Sequence, residues 1–214
     1  YVQRGDLAML EKYARAQAAV QSGADLVLEL PLTACLSSAE GFAQGGVFLL
    51  DALGCVTHLS FGSESADIAA IHRAAAYPEA QAVQDDIAAR IQGGASYAAA
   101  VQQAIAAIDA QAGALYDTPN NTLGIAYCAA LNHLHSPIQP LTVPREGAAH
   151  DSTAPLDGLP SASYLRTLIQ EGHMEDCWAF MPDTSFAVLQ EQVRQGAAPV
   201  WTDALSLAML AHLR

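Results

Sequence analysis

Thr57-His-Leu-Ser-Phe61, followed at once by Gly62-Ser63-Glu64-Ser65, is the most informative stretch of the chain. It reads as a short strand over 57–61 that stops at a glycine and two hydroxyl residues before a helix begins, the junction from which α/β folds are built. Upstream, Ser38-Ala-Glu40 opens a helix with apolar positions at Phe42, Val47, Leu50 and Leu53, closed by Gly54. Before it, Asp25-Leu-Val-Leu-Glu-Leu-Pro31 is an apolar run stopped by proline, which predicts a buried parallel strand. The first helix takes Gly5-Asp6 as its cap, places Leu7, Leu10, Ala14 and Ala18 at helical spacing, and ends at Gly23.

Downstream, alanine-rich helices are expected over 67–76, 78–91 and 96–111, the last with Val101, Ile105 and Ile108 on one face. Thr118-Pro-Asn-Asn121 starts a helix carrying Leu123, Tyr127 and Leu131, and Ile138-Gln-Pro-Leu-Thr-Val143 reads as a third strand that ends at Pro144-Arg145. A Gly-, Pro- and Asp-rich loop over 146–160 leads into a helix over 161–170 and a helical remainder with turns near Pro182 and Pro199. Strands alternating with helical crossovers predict an α/β fold with a parallel sheet. Ligands of such sheets sit beyond the carboxyl ends of the strands. Those ends are Glu29-Leu-Pro31, Gly62-Ser-Glu-Ser65 and Arg145.

With 214 residues, 52% hydrophobic, 14% charged and 7% aromatic, the chain has enough apolar surface for one sizeable core, or one domain and part of a second. The longest uncharged stretches, such as 95–108, are rich in Ala and Gln rather than Leu and Ile, so no membrane span is expected. The opening Tyr1-Val-Gln-Arg-Gly-Asp6 lacks the basic-then-apolar order of a signal peptide. It also lacks an initiator Met, so the chain is expected to be a fragment of a longer one. Nine Lys and Arg against 22 Asp and Glu give a net charge of −13, and Lys12 is the only lysine. Such a surface repels phosphate backbones and argues against a general nucleic-acid binder, though not against a local basic site. Cys35, Cys55, Cys128 and Cys177 show no CxxC spacing and read as buried free thiols of a cytoplasmic protein. His133-Leu-His135 has no Cys or carboxylate cluster beside it, so no metal site is expected there.

Four places carry residue types suited to a nucleotide. Gly62, without a Cβ, lets a base or ribose approach the backbone, while Ser65 or Asp67 serves as an ordinary helix cap. Of Asn120 and Asn121, one explains itself as an N-cap; the second either satisfies a buried loop or binds a polar ligand edge. Arg145 is a lone cation just past a strand, ahead of His150-Asp151, which reads either as an acid/base pair or as a loop stabiliser. Ser161-Ala-Ser163-Tyr-Leu-Arg166 combines helix-start amides, hydroxyls and a guanidinium, the donor set for phosphate, and equally describes a Ser-capped helix with a solvated Arg. Gln3-Arg4-Gly5 is a further anion contact or a solvated loop.

Taken in order, Val2-Gln-Arg-Gly5, Arg15-Ala16, Asp25 to Pro31, Ser38-Ala-Glu40, Phe61-Gly-Ser-Glu-Ser65, Pro119-Asn-Asn121 with Leu123-Gly124, Arg145 before Gly147-Ala148, His150-Asp151 and Ser161-Ala-Ser163 to Arg166 form a specific pattern. It resembles the bacterial tRNA(Met) cytidine acetate ligase family of the nucleotidyltransferase superfamily, over nearly the whole chain and most firmly over 1–170. The resemblance implies a Rossmann-like nucleotidyltransferase parallel sheet with extra Ala-rich helices, forming an ATP-binding domain over 1–172, and the start of a helical C-terminal region over 173–214. It implies a cytoplasmic ligase that uses ATP, with magnesium, to activate acetate as acetyl-adenylate. The acetyl group then passes to the wobble cytidine of elongator tRNA(Met).

In that family Gly62, Asn120, Asn121 and Arg145 match ATP-contacting positions, and Ser161, Ser163 and Arg166 match a phosphate-binding motif. Arg4 falls in the Gln-Arg-Gly loop beside the site. Arg145, Arg166 and Arg4 are the expected catalytic cations, because adenylation builds negative charge on the phosphates and on departing pyrophosphate. Family chains also carry an Asn-Pro-Phe-His-x-Gly-His type motif upstream of Tyr1, extend past Arg214, and commonly have lysine where Pro144 stands. Two other functions use the same scaffold: an adenylyltransferase acting on a small phosphorylated metabolite, and a non-catalytic nucleotide-binding module.

Overall fold

Backbone pairing, more than apolar content, determines which extended runs of this chain become strands. In the computed structural model, which describes residues 7–145 and 160–213, His58–Ser63 (β1) and Gln139–Pro144 (β2) pair in parallel, from His58 opposite Gln139 to Ser63 opposite Pro144. The remaining expected strand, Asp25 to Pro31, does not form: Leu26, Val27 and Leu28 are 58%, 40% and 43% exposed. No described strand lies beside it to take up its amides and carbonyls, and a run without a ladder leaves those groups to water. The parallel arrangement is as expected, with two strands rather than three among the described residues.

The helices, in chain order, are α1 (Lys12–Gln21), α2 (Leu32–Cys35), α3 (Ala39–Ala52), α4 (Ile68–Ala76), α5 (Gln81–Gln92), α6 (Tyr97–Ile108), α7 (Ala110–Ala114), α8 (Pro119–His133), α9 (Ala162–Gln170), α10 (Asp183–Arg194) and α11 (Thr202–His212). Arg4, Gly147-Ala148 and the His150-Asp151 pair lie outside the described residues. Side-chain caps explain several of the helix starts. Ser38 caps α3, Asp67 caps α4 and Ser161 caps α9, each accepting a first-turn amide. The helix expected over 96–111 is interrupted because Asp109 accepts the amides of Gln111 and Ala112 and starts α7 instead. That carboxylate also accepts the Tyr77 hydroxyl at 2.9 Å, so the break is tied to the end of α4.

The chain divides into two compact units. The unit Leu30–Arg145 holds the sheet and two apolar clusters. The larger joins α4, α5, α6 and α8 through Ile71, Val83, Val101, Ile105, Ile125 and Cys128; the smaller joins α3, α8 and the start of β2 through Val47, Leu131 and Ile138. Ile108, expected on one face with Val101 and Ile105, is 60% exposed while those two are buried, because α6 ends there. The other unit, Tyr1–Glu29 with Glu146–Arg214, has its own core of Ile169, Cys177, Phe186 and Leu189. The four cysteines are free, but only Cys128 and Cys177 are buried; Cys55 is exposed at the approach to β1. Among the described residues no helix is long and apolar enough to cross a membrane.

Candidate functional site

The carboxyl ends of β1 and β2 lie side by side. The Arg145 amide donates to the Ser63 carbonyl at 3.0 Å, extending the ladder by one bond and setting Arg145 beside the Gly62-Ser-Glu-Ser65 turn. The Arg145 side chain is exposed. Ser63 is fully buried and organises the turn: its hydroxyl shares a 2.6 Å hydrogen bond with Thr142 of β2 and accepts the Ala66 amide at 3.0 Å. Ala66 sits at φ +52°, a left-handed conformation that non-glycine residues adopt at a cost, held here by that bond. Gly62 is exposed, and a Cβ built on it would meet no atom within 4 Å. Its lack of a side chain is therefore not a packing requirement of the described fold; it leaves open backbone at a strand end.

Glu64 connects this turn to α8. Its Oε1 accepts the Asn120 side-chain amide at 2.7 Å and the Asn120 backbone amide at 3.3 Å, and its Oε2 accepts the Asn121 backbone amide at 2.8 Å. The N-cap position of α8 is Thr118, whose side chain makes no capping bond, and no acidic residue lies in the first turn. A carboxylate from 56 residues upstream thus takes the place of a local cap and meets the positive end of the helix. Desolvation pushes the Glu64 carboxyl up, but the bonds from the Asn120 side chain and the surrounding backbone amides prevail and hold it below its ordinary value.

Asn121, 4% exposed, completes the link: its Oδ1 accepts the Ser65 amide at 3.1 Å and its Nδ2 donates to the Thr118 hydroxyl at 2.7 Å. Neither asparagine is the N-cap that sequence alone suggested. Gly124, one turn further, lets α8 press on β1: a Cβ there would stand 2.5 Å from the Phe61 ring, which also packs against Tyr127 at 5.6 Å between centroids.

Gly62, Asn120, Asn121 and Arg145 thus belong to one neighbourhood of one unit, linked by hydrogen bonds through Ser63, Glu64 and Ser65. Ser161, Ser163 and Arg166 lie on the start of α9 in the other unit. There the Ser161 hydroxyl accepts the Tyr164 amide at 3.0 Å, and Arg166 Nη2 donates to Ser163 Oγ at 3.1 Å. Glu64 and Thr142 are the residues that sequence reasoning missed. The only available signal was the need of α8 for an acceptor at its start, which nothing local supplies. Among the described residues no group of three or more His, Cys, Asp and Glu is placed to hold a metal ion.

A parallel strand pair whose carboxyl ends present an open glycine, an anchored asparagine pair and an arginine stands where parallel α/β sheets take their ligands. The chain belongs to the HIGH nucleotidyl transferase family, whose model matches residues 1–214. It is 33% identical to the tRNA(Met) cytidine acetate ligase of Caldanaerobacter subterraneus subsp. tengcongensis over all of its own length and 54% of that protein. It is 41% identical to the ligase of Syntrophotalea carbinolica over 82% of the chain and 43% of that protein. Among solved structures it is similar to apo TmcAL of Thermotoga maritima, with a TM-score of 0.86 at 33% identity over 94% of this chain and 49% of that one. The same protein bound with alpha-thio ATP gives 0.83 at 32% identity, covering 94% and 48%. The chain thus spans about half the length of the curated relatives it matches.

Proposed function

We propose that this chain is the nucleotide-binding part of an ATP-dependent ligase that activates acetate as acetyl-adenylate and acetylates the wobble cytidine of elongator tRNA(Met). The observation that carries this reading is the convergence of Gly62, Asn120 and Arg145 at the carboxyl ends of β1 and β2, in a chain similar to a protein solved with an ATP analogue. In this reading residues 1–172 form the ATP-binding domain and 173–214 begin a helical region. Gly62 admits the nucleoside, Asn120 contacts it, and Asn121 holds the turn in place. Arg145 stabilises charge that develops on the phosphates, and Ser161, Ser163, Arg166 and Arg4 keep the phosphate-contacting roles that the family likeness implies. ATP is the nucleotide and magnesium its accompanying ion; acetate and tRNA(Met) are the other substrates.

The residues fit such a ligand on their own terms. The space over Gly62 is open, Arg145 is an exposed cation, and Asn120 Oδ1 has no hydrogen-bond partner among the described residues. Calorimetric titration with ATP tests the reading, using the parent chain, Arg145→Ala and Gly62→Val. A valine at position 62 points into open space, so the variant should melt with the parent yet lose roughly tenfold or more in affinity, about 1.4 kcal/mol. Undiminished binding in both variants would place the nucleotide elsewhere, and no binding by the parent would remove the reading for this chain.

A further inference from the structure

The Asn120 side-chain amide is held in a single sense by a charged neighbour. Its Nδ2 donates to Glu64 Oε1 at 2.7 Å, and its backbone amide donates to the same oxygen at 3.3 Å. An ionised carboxylate only accepts hydrogen bonds, so a flipped Asn120 amide would set oxygen against oxygen. Its neighbour Asn121 has both ends of its amide engaged, to Ser65 and Thr118, and cannot exchange roles with it. Asn120 Oδ1 is therefore presented as a fixed acceptor, next to the negative charge of Glu64 in the turn that follows Gly62.

We propose that Glu64 is a specificity-determining positioning residue: it locks the Asn120 amide so that Oδ1 receives a hydrogen-bond donor from the nucleoside part of the bound nucleotide. This deepens, and rests on, the nucleotide-binding reading above. Phosphate oxygens offer no donor and are repelled by the Glu64 carboxylate, so the Asn120 end of the site takes the nucleoside. Two groups of adenosine supply the required donor chemistry, the 6-amino group of the base and a ribose hydroxyl. Guanosine has an acceptor oxygen in place of that amine, and a deoxyribose lacks one of the hydroxyls. The two sources are therefore separable by experiment.

The test is equilibrium binding of ATP, GTP, 2′-deoxy-ATP and 3′-deoxy-ATP to the whole chain and to Glu64→Gln, Asn120→Ala and the double variant, with a thermal melt of each. A glutamine at position 64 has nearly the same shape, but its amide nitrogen can donate to Asn120 Oδ1, so the lock is lost. Asn120→Ala keeps the backbone amide that Glu64 caps, and so keeps the helix start. The parent should prefer ATP over at least one analogue, and Glu64→Gln should reduce that preference by roughly tenfold, the value of about one hydrogen bond in a charged network. Asn120→Ala should reduce it at least as far, and the double variant no further than Asn120→Ala alone. Loss of discrimination against GTP assigns the donor to the base, and loss against a deoxynucleotide assigns it to the ribose. Full discrimination retained by Glu64→Gln, or additive losses in the double variant, would overturn the positioning role while leaving nucleotide binding intact. A parent chain that binds none of the four nucleotides overturns both.

Discussion

Two helices of this chain begin at residues suited to a nucleotide, and they begin in different ways. At α9 the cap is local: Ser161 accepts the Tyr164 amide three residues on, and Arg166 reaches back to Ser163 within the same turn. At α8 the nearest hydroxyl, Thr118, instead accepts the Asn121 side chain, and the capping oxygens come from Glu64, across the end of β1. A local cap stabilises one helix and leaves its surroundings alone. A distant one makes the helix start and the strand-end turn a single structure, in which Glu64 grips α8 while Asn121 grips Ser65 in return. Residues meant to touch the same ligand from two elements need that kind of coupling, because a small displacement of either weakens every contact.

Breaking the coupling should therefore cost more, and spread further, than breaking the local cap. The largest effect is expected from Gly124→Leu. The first added carbon meets the Phe61 ring at 2.5 Å, and the ring is backed by Tyr127, so α8 must move off β1. A net loss of about 2 kcal/mol in denaturant unfolding is expected, the overpacking penalty less the gain in helix propensity. Glu64→Ala comes next, at about 1–2 kcal/mol, since two helix amides and the Asn120 side chain lose their acceptor. Hydrogen exchange should show protection falling together at Asn121 and at Ser65, although the latter amide never touches Glu64. Ser161→Ala should cost about 1 kcal/mol, with faster exchange at Tyr164 in the first turn of α9. Equal spread of exchange in the two cap variants would erase the distinction between them.

The same contrast explains what could be read from sequence. The start of α9 was legible because Ser161, the amide it binds and the helix that follows are contiguous; the helix expected over 161–170 is found at Ala162–Gln170. The strands over 57–61 and 138–143 were legible within two residues, and so was their parallel pairing, because apolar runs separated by helices admit little else. The run from Asp25 to Pro31 was misjudged because strand identity is a property of two segments, and apolar content describes one. Glu64 stood inside the quoted motif but had no visible task. Its partners are 56 and 57 residues away, and no local pattern announces a cap supplied from that distance. The break at Asp109 was hidden by an unbroken alanine-rich pattern; only the turn chemistry of one aspartate ends α6 there.

The smallest expected difference between the two helix starts is their response to acid, and it is the most specific. Glu64 titrates and Ser161 does not. The folded protein holds the Glu64 carboxyl below its ordinary value of 4.5, with hydrogen bonds prevailing over desolvation, so the unfolded chain binds this proton more readily than the folded one. The contribution of Glu64 is then fully present above that ordinary value and is lost as the pH falls through the lower folded value. The loss is partial, because a protonated carboxyl keeps a carbonyl oxygen that still accepts one amide, and solvent screens a group this exposed. Amide exchange followed from about pH 7 to about pH 3, corrected for intrinsic rates, should therefore show protection at Asn121 declining by a few-fold at the acid end relative to Tyr164. In Glu64→Gln, where nothing at that position titrates, the ratio of the two should stay flat. A parent ratio that is also flat would mean that Glu64 is not the acceptor holding α8, and that the two helix starts are alike after all.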